Sequence, residues 1–216
     1  QVCAWDPVIR ALETQAPLWT PGTEHLYHAA TYGYLVGEVV RRVSGKSLGT
    51  FFHDEFARPL GLSAWIGLPE EQEPHVAKVD RIPPSAPDAL VNDFAATMGM
   101  DVPTAGRLVN AMWGPNSVLA RAGSLNGAFR NPANWESRAY RAAEIPAGNM
   151  CTDAYSIARM YAASVSEVDG VRILNADTVA RATVLQTDRS CSHGVPDDLL
   201  PYTRNLFNMS FGFWMP

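Results

Sequence analysis

The sequence predicts an α/β (α+β) fold of which this chain supplies mostly helix, with a few short strands. Apolar residues recur three and four places apart through much of its length, whereas extended, β-type runs are short and isolated. Gly, Pro and Asn punctuate the intervals between these segments. At 216 residues and 47% hydrophobic, the chain buries a substantial core of its own.

The first apolar stripe, Val8, Ile9 and Leu12, follows Asp6-Pro7, which predicts a short helix over 6–15 with Asp6 as its cap and Pro17 beyond its end. After a turn at Pro21-Gly22, Leu35, Val36, Val39, Val40 and Val43 define a buried helix over 31–44, stopped by Gly45. Ser47 caps a further helix carrying Phe51, Phe52 and Phe56 that ends at Pro59-Leu60-Gly61. Residues 65–68 read as a strand. The Pro- and Glu-rich stretch 69–87 reads as an irregular excursion. Helices are expected over 88–98, 103–113 and 132–143, the last capped by Asn131. Another runs over 153–165, opened by Thr152, with Ile157, Met160 and Tyr161 on one side. Residues 171–174 form a candidate strand, and Asn175 caps a helix over 176–182.

A net charge of −5 with 17 scattered Lys and Arg argues against a nucleic-acid partner. No apolar run approaches the roughly 20 residues of a membrane span, so a soluble, cytoplasmic protein is expected. Cys3, Cys151 and Cys191 are odd in number and far apart, as reduced thiols are. Cys191-Ser192-His193 has the makings of half a metal site but lacks a second pair, and no metal is expected.

The sequence holds no glycine-rich phosphate loop, HExxH or CxxC, which removes the common nucleotide and zinc readings. Tyr27 remains, in Pro21 to Glu38, PGTEHLYHAATYGYLVGE. On pattern alone a tyrosine before a helix is a packing aromatic. Its flanks say more. Pro21-Gly22-Thr23, Tyr27-His28-Ala29, Val43-Ser44-Gly45 and Pro59-Leu60-Gly61-Leu62 stand in order and spacing that resemble the serine hydrolases that include class C β-lactamases, D-Ala-D-Ala carboxypeptidases and family VIII, β-lactamase-like carboxylesterases. Ile145-Pro146-Ala147-Gly148-Asn149-Met150 and the following 153–160 resemble the family's segment bordering the site, and 170–174 its continuation.

The resemblance implies acyl transfer by the serine of an SxxK motif, with the lysine and the tyrosine of Tyr-x-x handling the proton and no cofactor. A serine hydroxyl is a weak nucleophile that needs a neighbouring base. A phenol, protonated at neutral pH, serves only beside a cation or as a proton relay. Tyr27 is the candidate for that role, Ala29 and Asn149 are candidate substrate contacts, and His28 is expected to point away from Tyr27. Trp65, Trp113 and Trp135 are core residues or acyl-pocket walls in the same reading.

Two departures matter. No serine is followed three places on by either lysine, Lys46 or Lys78, and no KTG or HxG occurs. The chain is therefore expected to be the central part of one β-lactamase-like domain, mainly its helical region, inactive alone and completed by N- and C-terminal parts. Phe211-Gly212-Phe213-Trp214 then stands just before the third motif. Second, relatives that act on amides carry asparagine where this chain has Ala29, so small or medium acyl esters are the expected substrates. A β-lactamase, a D,D-carboxypeptidase and a non-catalytic helical interaction module of the same fold stay as alternatives.

Overall fold

The structure, a computed structural model, describes residues 2–78, 87–125, 127, 135–187, 194–203, 209 and 210, with 87 and 88 in backbone alone. The first two helices are locked together by a buried acid. Helix α1 (Trp5–Thr14) packs on α2 (Thr31–Ser44), and Glu38 of α2 is only 6% exposed. Its carboxylate accepts from Trp5 Nε1 at 2.8 Å, Arg41 Nε at 2.7 Å and Arg42 Nε at 2.6 Å. Hydrogen bonding by Arg41, then by Trp5 and Arg42, outweighs the cost of burial and pushes the Glu38 pKa down to about 2. Asp6 does not cap α1, because Ala4 stands at the N-cap; Asp6 lies in the first turn, 3.8 Å from Arg41.

Helix α2 has the predicted bounds, and Gly45 closes it at φ 71°. Its buried face is not the predicted one. Leu35, Val36, Val39 and Val43 are exposed, the last by 84%, while Gly33, Tyr34, Gly37 and Glu38 turn inward. The glycines decide this: a Cβ on Gly37 would meet Trp5 Cη2 at 2.7 Å, so only glycine lets the α1 indole approach α2 this closely. Tyr34 is completely buried, 5.3 Å ring to ring from Trp5, and donates to the Val2 carbonyl.

Helix α3 (Leu48–Phe52), capped by Ser47, runs through a π turn (His53–Ala57) into α4 (Arg58–Leu60). The wide turn has a cause in Pro59, which has no N–H to give to the carbonyl four residues back and whose ring crowds it. The preceding amide, Arg58 N–H, reaches His53 O instead. Strand β1 is Ala64–Trp65, paired antiparallel with β2 (Cys151–Thr152). It is shorter and earlier than the predicted strand because Gly67, at φ 81°, turns the chain away. Thr152 lies in β2, and Asp153 opens the next helix by accepting from Ser156 N.

The Pro- and Glu-rich stretch contains a 3₁₀ helix (Glu70–His75) whose Glu73 bridges two arginines. It accepts from Arg138 at 3.2 Å and Arg141 at 3.1 Å, and the Arg141 hydrogen bond lowers its pKa. Helices α5 (Pro87–Met98) and α6 (Val102–Trp113), with Asp101 as the cap of α6, pack together. A helix that the sequence pattern does not predict, α7 (Val118–Ser124), follows on a Ser117 cap. Helix α8 is only Arg138–Ala142, capped by Ser137 rather than by Asn131, which lies outside the described residues with the first part of the predicted helix.

Helix α9 (Ala154–Val165) buries Ser156 and Ala163. Of the apolar side formed by Ile157, Met160 and Tyr161, Ile157 and Tyr161 are exposed and Met160 packs inside. The predicted strand near 171 is a tight hairpin: Val168 and Val171 exchange two 2.9 Å backbone bonds around Asp169 and Gly170, both at positive φ. Helix α10 (Ala176–Ala182) has its Asn175 cap as predicted. A 3₁₀ turn (Asp197–Leu199) leads into α11 (Leu200–Thr203). The 191–193 segment and the 211–214 run lie outside the described residues. Among the described residues, no helix is long and apolar enough to cross a membrane, and no group of three metal-ligating side chains occurs.

Because the folded-state pKa of Glu38 lies below its unfolded value, its stabilisation is full above about pH 4.5 and is lost as pH falls toward 2. Glu38→Gln is expected to lower stability by about 1–2 kcal/mol at pH 7, with the difference from wild type shrinking at pH 3. Urea denaturation at the two pH values measures both.

Candidate active site

The segment carrying Tyr27 is set by a turn on one side and a helix start on the other. Thr23 N–H and hydroxyl both donate to Thr20 O, Gly22 takes φ 86°, and Trp19 Nε1 donates to Glu24 O at 3.1 Å. Residues 24–29 then run without helix or strand to Thr31. Leu26 packs against the cluster of Leu108, Met112, Leu119 and Leu199 from α6, α7 and the 3₁₀ turn. Its neighbour Tyr27 is 38% exposed. Leu26 is half-buried where Tyr27 is exposed, so the two neighbours turn their side chains to different surroundings. The phenol is thus not sealed in the core.

His28 is occupied at the helix start. Its Nδ1 lies 2.8 Å from Thr31 Oγ1, its ring stands edge-on to Tyr32, and its carbonyl accepts from Tyr32 N–H. Burial lowers its pKa and so favours the neutral ring. Ala29 is half-buried and Ala30 buried, so the chain passes inward from Tyr27 into α2.

The 145–149 loop meets α2 at Gly33. A Cβ there would sit 2.6 Å from Ala147 N and 2.9 Å from Pro146 Cβ. Glycine in that position lets the loop lie directly on the first turn of α2. The loop is held from beneath. Ile145 is 1% exposed, in a cluster with Ile9, Tyr34, Tyr140 and Ala143. Asn149, 6% exposed, accepts from Ile145 N at 3.0 Å and donates from Nδ2 to Tyr140 O at 2.7 Å and Ala143 O at 2.6 Å. These bonds employ both amide protons and the oxygen inside the loop. The carboxamide predicted to contact substrate therefore orders the loop, closing it onto the amide of the buried Ile145.

The structure thus gathers the two motifs into one region, through a residue to which the motif pattern assigns no part. Gly33 and Gly37, four apart inside a helix, are the signal of close approach that marks that face. The tryptophans go elsewhere. Trp113 stacks edge-on to Phe94, Trp135 is half exposed, and Trp65 lines a cavity of about 550 Å³ that includes none of Tyr27, Ala29 or Ala147.

Comparison with known proteins places this arrangement. The beta-lactamase family profile matches residues 2–214. The esterase/beta-lactamase LipL of Mycobacterium tuberculosis is 30% identical over 161 residues, 73% of this chain and 34% of that protein. Among solved structures, a penicillin-binding protein homologue from Caulobacter crescentus superposes with TM-score 0.59 at 27% identity, over 86% of this chain and 43% of its own. EstA from Arthrobacter nitroguajacolicus superposes with TM-score 0.55 at 23% identity, over 86% of this chain and 45% of its own, a likeness of fold. The chain spans about a third of the curated relative and under half of the solved chains.

Asn149→Leu takes from the Ile145 N–H and the Ala143 carbonyl the bonds the carboxamide gives them, leaves the Tyr140 carbonyl only its 3.3 Å bond from Ala143 N–H, and is expected to cost about 2–4 kcal/mol. Gly33→Ala, which pushes Ala147 off α2, is expected to cost about 1–3 kcal/mol. Thermal melts of both variants beside wild type check the ranking, with Asn149→Leu the worse.

Proposed function

This chain belongs to the beta-lactamase family, and from that premise we propose that it forms one wall of a serine ester hydrolase working through an acyl-enzyme. Tyr27 is the residue that exchanges a proton with the nucleophile. The observation that carries the reading is its placement: a half-exposed phenol fixed by Leu26 on one side and by the α2 start on the other, with the family's bordering loop seated on that same helix. A general acid or base must be held at hydrogen-bonding reach of its target, and an anchored neighbour at each side supplies that restraint.

The serine and lysine of SxxK do not occur in these 216 residues. In this reading they come from further parts of the same protein, in a domain like those of the longer relatives. The exposed apolar stripe of α2, with Tyr155, Tyr161 and Val165 of α9, supports that arrangement, since so much apolar side chain gains from being covered.

LipL is named for both esterase and beta-lactamase activity. Ala29 favours the ester. A methyl offers no hydrogen bond to an amide-bearing substrate, and leaving a substrate polar group without its partner costs on the order of 1 kcal/mol or more. A peptide or β-lactam needs that bond more than a simple acyl ester does. The cytoplasm remains the proposed location on the strength of three scattered cysteines.

In the full protein, turnover of p-nitrophenyl butyrate is expected to exceed that of a chromogenic cephalosporin. Tyr27→Phe is expected to lower kcat on the ester by about 10²–10⁴-fold with KM little changed. A Tyr27→Phe variant that folds and keeps wild-type kcat removes Tyr27 from the mechanism, and preferential cephalosporin turnover replaces the esterase by a β-lactamase.

A further inference from the structure

The 550 Å³ cavity beside Trp65 is lined by none of the residues of the wall just described and has a chemistry of its own. It opens between the helical turn at Thr50 and His53, the exit of β1, and the 3₁₀ helix with Glu71 and Gln72. Its volume falls within the range of small-molecule sites. No lysine or arginine lines it; His53 is the one side chain there able to carry positive charge, against the two carboxylates Glu71 and Glu144.

Glu144 is fixed in place. Its Oε1 accepts from Ser47 Oγ at 2.6 Å. Two glycines make room for it: a Cβ on Gly49 would fall 2.8 Å from that same oxygen, and one on Gly67 would fall 3.1 Å from Glu144 Cγ. The serine bond and the glycine floor orient the carboxylate, and its other oxygen, Oε2, retains acceptor capacity. The indole of Trp65 supplies an electron-rich face in the same cavity. Fixed carboxylate, second carboxylate and indole together suit a cation with hydrogen atoms to donate and an apolar body to lay on the ring.

We propose that this cavity binds a small organic primary ammonium compound, its NH₃⁺ held by Glu144 and Glu71 and its apolar part against Trp65. The ammonium group carries three donors, which Glu144 Oε2, Glu71 and the Gln72 side-chain oxygen accept. An anion meets two carboxylates and is rejected. Glu144 directly precedes the 145–149 loop, so an occupied cavity bears on the residue next to the buried anchor Ile145.

The test is a calorimetric and NMR titration of the full protein with benzylamine at neutral pH, beside benzyl alcohol and phenylacetate. Benzylammonium is expected to bind one site at about millimolar affinity or better and to shift the Trp65 indole and Gln72 amide resonances. The alcohol is expected to bind at least about tenfold more weakly, and phenylacetate not at all. Glu144→Gln, which keeps the Ser47 hydrogen bond, is expected to weaken benzylammonium about tenfold, and Glu71→Gln by a smaller factor. Unchanged melting of both variants confirms that they fold. Equal binding of amine and alcohol, undiminished binding by folded Glu144→Gln, or resonance shifts confined to other residues overturns the proposal. Ester hydrolysis does not enter the readout, so the outcome is independent of the assignment of Tyr27.

Discussion

The contact between Gly33 and Ala147 is the constraint from which the rest of the site follows. A helix ordinarily keeps a neighbouring backbone away by the breadth of its side chains. Here a glycine in the first turn of α2 removes that spacer, and the 145–149 loop lies on the helix backbone. The loop cannot drift, because Ile145 is buried below it and the Asn149 carboxamide ties its two ends together. Two segments more than a hundred residues apart in sequence are thereby held in register. Gly37, one turn on, repeats the device on α1, where Trp5 fills the space and ends its hydrogen bond on Glu38. One helix face built from Gly, Tyr, Gly and Glu thus organises the start of the chain.

That face also explains where the sequence misleads. The ends of α2 and α10 are legible, since a C-terminal glycine in left-handed conformation and an asparagine cap are local signals read by local chemistry. The inward face of α2 is not. Periodicity ranks residues by hydrophobicity and selects Leu35, Val36, Val39 and Val43, yet the face that packs is the one where Gly33 and Gly37 allow close approach, with Tyr34 and Glu38 beside them. The same reversal occurs in α9, where Ser156 and Ala163 go inside and Tyr161 stays out. In both helices large apolar side chains are left exposed.

The candidate site is legible in part for a similar reason. Order and spacing single out Tyr27, and its placement needs only Leu26 to be apolar and Gly22 to turn. Asn149 lies in the loop that the sequence selects but performs a different role there, because one sequence cannot tell an amide that meets a ligand from one that satisfies its own backbone. The difference lies in whether the partners Tyr140 O and Ala143 O end up beneath it. Likewise the Glu73 bridge to Arg138 and Arg141, nearly seventy residues away, leaves no mark on local composition. It gives the Pro- and Glu-rich stretch an anchor that its composition does not foretell.

Proteolytic mapping of the trapped acyl-enzyme tests most directly whether these residues form a wall whose nucleophile arrives from elsewhere. The full protein is to be quenched in the presence of a slowly hydrolysed ester, digested, and its acylated peptide sequenced. The account predicts a single acylated serine, followed three places on by lysine, in sequence outside Gln1 to Pro216. Acylation of any serine within these residues, or none under conditions of rapid turnover, contradicts it.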